Sequence, residues 1–427
     1  MIRPVFLALI CFFSFGCREQ THVTDEAEIP TVSPRAAVKL TLLVVDDPDL
    51  AKGIQLLSGE WSERSGGELA VETISLAEIL SAETLTADVV IYPSRQLGAL
   101  VSRQWLRPVR QSVLNDTDLD YSDLLPVLRD QCMRLGGEVW GVPLGEMPLV
   151  LGWHGVVPDN LPRTWEQLDD SPNVLRGSTN AENEFPLAAE FIARVVSATP
   201  PVDRATLFFE PESMDAQLDE PQMMRALEQI HIKDGEGQTS EESSCQVTLP
   251  PRDKLLADKL TPLLASVEMF NASLDRWEKT TSDAAPVILG FSGRLVSVTT
   301  SSRNAASAFK LLPWLVSGNT GGRLSQRSKA TLWFRSSQVS QASKWLPAQS
   351  AEENAAWLTE SLSKRDAYLA PRLPGIDNYL AALNDALASK SIPDALAHAE
   401  TEWNAITDSQ GREQQRKAFR QHLGLPD

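Results

Sequence analysis

The chain has 427 residues, 42% of them hydrophobic and 22% charged, and its formal net charge is −18. That length can bury more than one core, so two domains are expected. A surface this acidic repels phosphate backbones and argues against nucleic-acid binding.

Reading from the N-terminus, Arg3 supplies a short positive region and Val5 to Phe15 is an uncharged apolar run. Ser14, Phe15 and Gly16 then lead into Cys17. The layout predicts a secretory signal peptide over residues 1–16, too short to span a bilayer permanently. The small residue before Cys17 resembles the lipobox of bacterial lipoproteins, although Ser14 stands where that motif usually has Leu. The resemblance implies a lipid anchor on Cys17, which would then be the mature N-terminus. Residues 17–37 are polar, contain Pro30 and Pro34, and show no period, so they read as a flexible tether from the membrane. If Cys11 leaves with the signal and Cys17 carries lipid, only Cys132 and Cys245 of the four cysteines remain. An exported setting permits a disulfide between them, but spacing does not decide it.

Val38 to Val45 reads as a strand, closed by Asp46, Asp47 and Pro48. Leu50, Ile54, Leu57 and Trp61 recur at helical spacing, and Ser65-Gly66-Gly67 stops that helix. Leu69 to Ile74 and Ala87 to Tyr92 read as strands, and Ser94 to Val101 as a helix. Alternation at this spacing predicts a mostly parallel sheet with helices on its faces. A second block begins near residue 149 with the strand Leu149–Trp153, followed by helices over 186–196 and 221–230. Residues 233–253 are rich in Gly, Ser and Glu and read as a surface loop. Strands are expected over 285–289, 295–298 and 330–334, with a breaker at 317–322. The last hundred residues are mainly helical: 351–361, 376–387 and 393–406.

Several stretches, in order, resemble the family 1 extracellular solute-binding proteins of ABC importers, the sugar-binding group. They are Leu40–Pro48 with its helix, Ala87–Ser94 with Trp105–Val109, and Gly137-Glu138-Val139-Trp140-Gly141-Val142-Pro143. Leu151-Gly152-Trp153-His154 and Pro162-Arg163-Thr164-Trp165-Glu166-Gln167-Leu168 follow, then the C-terminal helices around Tyr379 and Trp403. His154 stands where the family often has Asn. The resemblance implies a two-lobed periplasmic-binding-protein-like α/β fold with a mixed sheet in each lobe and a helical C-terminus. Residues 38–146 and 320–363 would form one lobe, and residues 149–316 and 370–427 the other. Hinges would lie near Glu146, Thr320 and Arg365. The implied function is capture of a small polar solute, a sugar or oligosaccharide, for delivery to an ABC permease in the membrane. The protein would act as a monomer, outside the cytoplasm, with no cofactor or metal. A sensor or scaffold lipoprotein of the same fold, presenting ligand to a signalling partner, is the alternative.

Candidate solute contacts follow from position and chemistry. Asp46 and Ser94 sit where strands end, and ligands of open α/β sheets bind beyond the carboxyl ends of strands. Asp47, next to Pro48, reads as a helix cap. Glu146 follows the Gly-Val-Pro-Leu stretch at the first implied hinge. Trp153, Phe291 and Trp333 lie at or just after expected strands, where an aromatic face could stack on a sugar ring; core packing is the competing explanation for each. Trp61, Trp357 and Trp403 lie on helical stripes and read as core. Enzyme signals are weak. Gly290-Phe291-Ser292-Gly293-Arg294 has Arg where a nucleophile elbow needs Gly, and Ser361-x-x-Lys364 lacks its partner motifs. The five histidines form no metal motif, and no phosphate-binding loop is present. A degenerate hydrolase is the remaining enzyme reading.

Overall fold

The computed structural model describes residues 37–427, apart from 156, 172–173, 177–184, 232–244, 249–258, 281–284, 347, 365–366, 389–391 and 427. The signal, Cys17 and most of the tether lie outside the described residues. Five strands form the first sheet: β1 (Lys39–Val45), β2 (Glu68–Ile74), β3 (Val89–Pro93), β4 (Val142–Pro143) and β5 (Arg294–Val298). The main helices are α1 (Pro48–Ser65), α2 (Leu97–Ser102), α3 (Pro186–Ser197), α4 (Ala305–Val316), α5 (Ala348–Ser363), α6 (Ile376–Leu387), α7 (Ile392–Gln410) and α8 (Arg412–His422).

The first sheet has the order β2-β1-β3-β5-β4. β1 pairs in parallel with β2 along its whole length, from Lys39↔Glu68 to Val45↔Ile74, and with β3 on its other side. β5 runs antiparallel to β3 and β4. The sheet is therefore mixed, and the carboxyl ends of β1, β3 and β4 meet the start of β5 at one edge. α1 begins where Asp47 accepts from the Leu50 amide (3.1 Å) and ends at Gly66 in the left-handed conformation. Its apolar stripe of Leu50, Ile54, Leu57 and Trp61 is buried against this sheet's core.

The second lobe is built on a four-stranded sheet in the order Lys259–Thr261, Leu151–Gly155, Cys245–Thr248, Val174–Arg176. Its core continues into the C-terminal helices. Trp403 of α7 stacks on Phe209 at 5.1 Å and meets Tyr379 of α6 edge-on at 5.6 Å. The Trp403 indole N–H donates to the Tyr379 carbonyl (2.8 Å), so this aromatic ring system is satisfied as well as packed.

Among the described residues, three segments that pass between the lobes lie side by side. Leu144 packs in the first core and Leu149 in the second. The Leu149 amide donates to the Ile288 carbonyl (2.8 Å), and Ile288–Leu289 pairs in parallel with Tyr368–Leu369. These bonds set the hinge position, and they revise the boundaries read from sequence. Residues 294–316 belong to the first lobe, because β5 completes its sheet and α4 packs in its core. The middle crossing is thus at 289–294, and Thr320 is buried in a helix of the first lobe, away from any crossing. Arg365 lies outside the described residues.

Two local expectations also change. Residues 331–334 are not a strand, although Leu332, Trp333 and Phe334 are fully buried. Their backbone is satisfied piecemeal: the Leu332 amide donates to the Glu146 carbonyl (3.3 Å), the Phe334 amide to the Gln338 side chain (3.1 Å), and the Phe334 carbonyl accepts from Leu125 (3.0 Å). Cys245–Thr248, inside the expected loop over 233–253, is an interior strand of the second sheet. Cys132 is a buried free thiol among the described residues.

Candidate functional site

The carboxyl-end edge of the first sheet faces the second lobe, and it gathers three of the expected site residues. β3 ends at Pro93 and delivers Ser94, 4% exposed. β4 runs into Gly145 and Glu146, and Glu146 is 1% exposed. Ser94 Oγ lies 2.8 Å from Glu146 Oε2 and 2.9 Å from the Ser292 carbonyl. Gly293 has φ of 104° and passes so close that a Cβ there would overlap the Glu146 carboxyl group. Phe291, half-buried at the same turn, packs its ring on the second core, and its carbonyl accepts from Arg95 Nη1 (3.4 Å).

Burial pushes the Glu146 carboxyl up to about 8, against the opposing pull of the Ser94 hydroxyl, the Met147 amide, Arg294 and Arg372. Glu146 is therefore mostly a neutral acid at pH 7, and its Oε1 is buried without a hydrogen-bond partner. Arg294, one residue beyond Gly293, pairs with Asp47 (Nε to Oδ2, 3.3 Å). Asp47 caps α1 and also accepts from Ser328 Oγ (2.5 Å), so it serves as both cap and counter-charge.

The other candidates are placed differently. Asp46 is exposed in a left-handed conformation (φ 48°), and its Oδ2 accepts from the Leu76 amide (3.1 Å). Its side chain is thus committed to bracing the end of β2. Trp153 has no exposed surface. Its ring lies in the second core and its indole donates to Thr261 Oγ1 (2.8 Å). Trp333 is equally enclosed in the first core, edge-on to Trp345 and bonded to Thr359 Oγ1 (3.2 Å). Neither ring offers a face for stacking, because both close their cores instead. Trp61 and Trp403 are core, as their stripes imply.

Sequence reasoning missed the polar residues that bridge the lobes here. Arg95 Nε pairs with Asp377 Oδ1 (2.7 Å), and Gln96 Nε2 donates to Asp377 Oδ2 (2.8 Å). Arg95 and Gln96 follow Ser94 on the first lobe, whereas Asp377 opens α6 on the second. Their separation of about 280 positions leaves no local signal. A second, open space lies elsewhere along the junction. A groove of about 930 Å³ runs between the C-terminal half of α5 (Trp357, Glu360), with Lys364 just beyond it, and Arg163, Gln167 and Thr261–Leu264 of the second lobe. None of the six candidates lines it. Among the described residues no cluster of His, Cys, Asp or Glu could hold a metal ion.

No protein-family model and no curated protein matches the chain. Solved structures do. An ABC transporter solute-binding protein from Agrobacterium radiobacter K84, in complex with ribitol, superposes with a TM-score of 0.62 at 15% identity, covering 86% of this chain and 98% of that one. Maltose-bound MalE3 of T. maritima gives 0.60 at 14% identity, over 87% and 100%. The cyclic α-maltosyl-1,6-maltose binding protein of Arthrobacter globiformis gives 0.61 at 16% identity, over 87% and 100%. With nearly the whole length of each matched, the chain has the two-lobed fold of ABC-transporter solute-binding proteins.

Proposed function

We propose that this chain is an exported, lipid-anchored solute-binding protein that takes a small neutral polyhydroxy solute, a sugar or polyol, between its lobes and passes it to an ABC permease. The observation that carries this reading is Glu146. A buried acid with an unpartnered oxygen, set at the edge where β1, β3 and β4 end, is a group that a solute hydroxyl would satisfy. The neutral character follows from the charges. Arg95 and Arg294 already have carboxylate partners, and Glu146 is mostly protonated at pH 7, so an ionic solute would have to displace an existing pair. The related folds described with ribitol and maltose agree in solute class.

The test is a thermal-shift and calorimetric panel of polyols, mono- and oligosaccharides, amino acids and inorganic anions. A cognate solute at ~100 times its Kd stabilises by about 2.7 kcal/mol. Stabilisation by a sugar or polyol that is lost in Glu146→Gln or Ser94→Ala supports the reading; stabilisation only by charged solutes, or by none, overturns it. The anchor is tested separately: Cys17→Ser should release the protein from the membrane fraction, and a variant that stays acylated and bound refutes the lipid site.

A further inference from the structure

A separate pocket of about 490 Å³ is lined from both lobes, and its wall carries three arginines, Arg134, Arg204 and Arg372, beside Asp130, Tyr368 and His422. The chain as a whole is at −18, so a wall this cationic is a local departure from its surface. Arg372 and Arg204 are buried, at 3% and 7% exposure. Arg372 Nε donates to His422 Nδ1 (3.4 Å), and its Nη1 to the carbonyls of Cys132 (3.1 Å) and Gln131 (3.5 Å). These partners are neutral, since desolvation and the Arg372 charge hold the His422 imidazole down to about 3. No described carboxylate pairs with Arg372, and its Nη2 donates to no described residue. Burial without a close counter-charge pulls this guanidinium down to about 10. Arg134 is half-buried and donates to the Gly137 carbonyl (3.1 Å) and the Tyr121 hydroxyl (3.4 Å); it too has no carboxylate partner among the described residues. Arg204 Nε donates to the Thr199 carbonyl (3.0 Å). Asp130, the acid in this wall, pairs with Arg129 (2.9 Å). Tyr368 is 6% exposed, and its hydroxyl bonds to no described residue. A buried cation without a counter-charge and a buried donor without a partner in one pocket are groups that an anion would satisfy.

We propose that this pocket is a second ligand site, which binds a small soluble phosphate monoester through Arg134, Arg204, Arg372 and the Tyr368 hydroxyl. Guanidinium forks match the oxygens of a phosphate in geometry as well as charge. Three of them bring more positive charge than a single carboxylate would balance, which favours a doubly charged group. The pocket is larger than a bare phosphate fills and lies in the range of small-molecule sites, so the phosphate is carried on a small organic body. None of the six candidates for the neutral solute lines it. The site rests on its own side chains, so it stands even if the solute class beside Glu146 is wrong.

The test is calorimetry and thermal shift on the full-length chain at constant ionic strength, with glycerol 3-phosphate, inorganic phosphate and chloride as probes. Glycerol 3-phosphate should bind saturably, inorganic phosphate more weakly, and chloride not at all. Arg134→Gln carries the test, because this half-buried side chain can be replaced without opening a core. It should weaken glycerol 3-phosphate by about tenfold or more, as loss of a bond between charged groups implies. Arg372→Gln should do the same, with circular dichroism checking that this deeper variant is folded. The proposal is overturned if chloride stabilises as much as the phosphates, if neither phosphate binds at millimolar concentration, or if Arg134→Gln binds glycerol 3-phosphate unchanged. A lipid phosphate is the other source of the same group: if Cys17→Ser protein floats with phosphatidylglycerol vesicles in an Arg134-dependent way and ignores the soluble phosphates, the soluble ligand is overturned. Stabilisation by neutral sugars or polyols is scored separately, at Glu146, so either reading can fail alone.

Discussion

At the scale of single residues, Glu146 couples the junction to pH. Its carboxyl lies well above the ordinary value of 4.5, at about 8, because it is buried. Between those values the folded chain holds a proton that the unfolded chain has released. The stability this proton contributes is therefore full below about 4.5 and is lost as pH rises toward 8. His422, held down to about 3 by desolvation, acts in the opposite sense below 6.5. The Glu146 effect is thus read as a difference: the stability gap between the unaltered chain and Glu146→Gln should change by on the order of several kcal/mol across the window. Urea unfolding of both proteins at stepped pH measures it; parallel curves would show that Glu146 titrates normally. Glu146 and Ser94 were legible from sequence because each follows a strand at the sheet edge. Arg95, Gln96 and Asp377 were not, since nothing local marks a charge whose partner lies in the other lobe.

At the scale of elements, buried polar anchors fix how helices sit. Arg194 on α3 is 1% exposed, pairs bidentately with Asp169 (2.9 Å to each oxygen), bonds Glu190 (2.9 Å) and Gln229 (3.2 Å), and lies 4.4 Å above the Trp165 ring. Arg194→Ala would strand two carboxylates beside a cavity and should cost about 3–5 kcal/mol by chemical unfolding. Arg194→Lys should recover little, because an ammonium cannot reproduce the planar fork. A loss below about 1 kcal/mol in the alanine variant would show that the network contributes nothing net. Helices such as α1 and α6 were readable because their apolar residues recur at helical spacing, and α1 also carries the Asp47 cap. The run 331–334 was misread because an apolar stretch is compatible with any buried conformation. Which backbone partners it finds, here Glu146, Gln338 and Leu125, is a matter of neighbours brought by the fold.

At the scale of the whole molecule, the Arg95–Asp377 pair (2.7 Å) ties segments about 280 positions apart, with side-chain exposures of 9% and 20%. Removing one partner leaves the other charge uncompensated, so Asp377→Ala should lower stability by more than about 1 kcal/mol in urea unfolding, beyond what an exposed pair contributes. A smaller loss would show that the pair adds nothing net to the fold.

The sequence by itself determined the α/β alternation, the first strand–helix–strand units, the helical C-terminus and, through the order of its motifs, the two-lobed architecture. The first three follow from short-range periodicity and capping, which are written within a few residues, and the two lobes from the resemblance those motifs carry. Only the tertiary structure decided that residues 294–316 complete the first lobe, that Trp153 and Trp333 fill cores, and that Arg95 meets Asp377. Those outcomes depend on strand order and on close approach between distant segments, and hydrogen-bond pairing across the hinge sets them both.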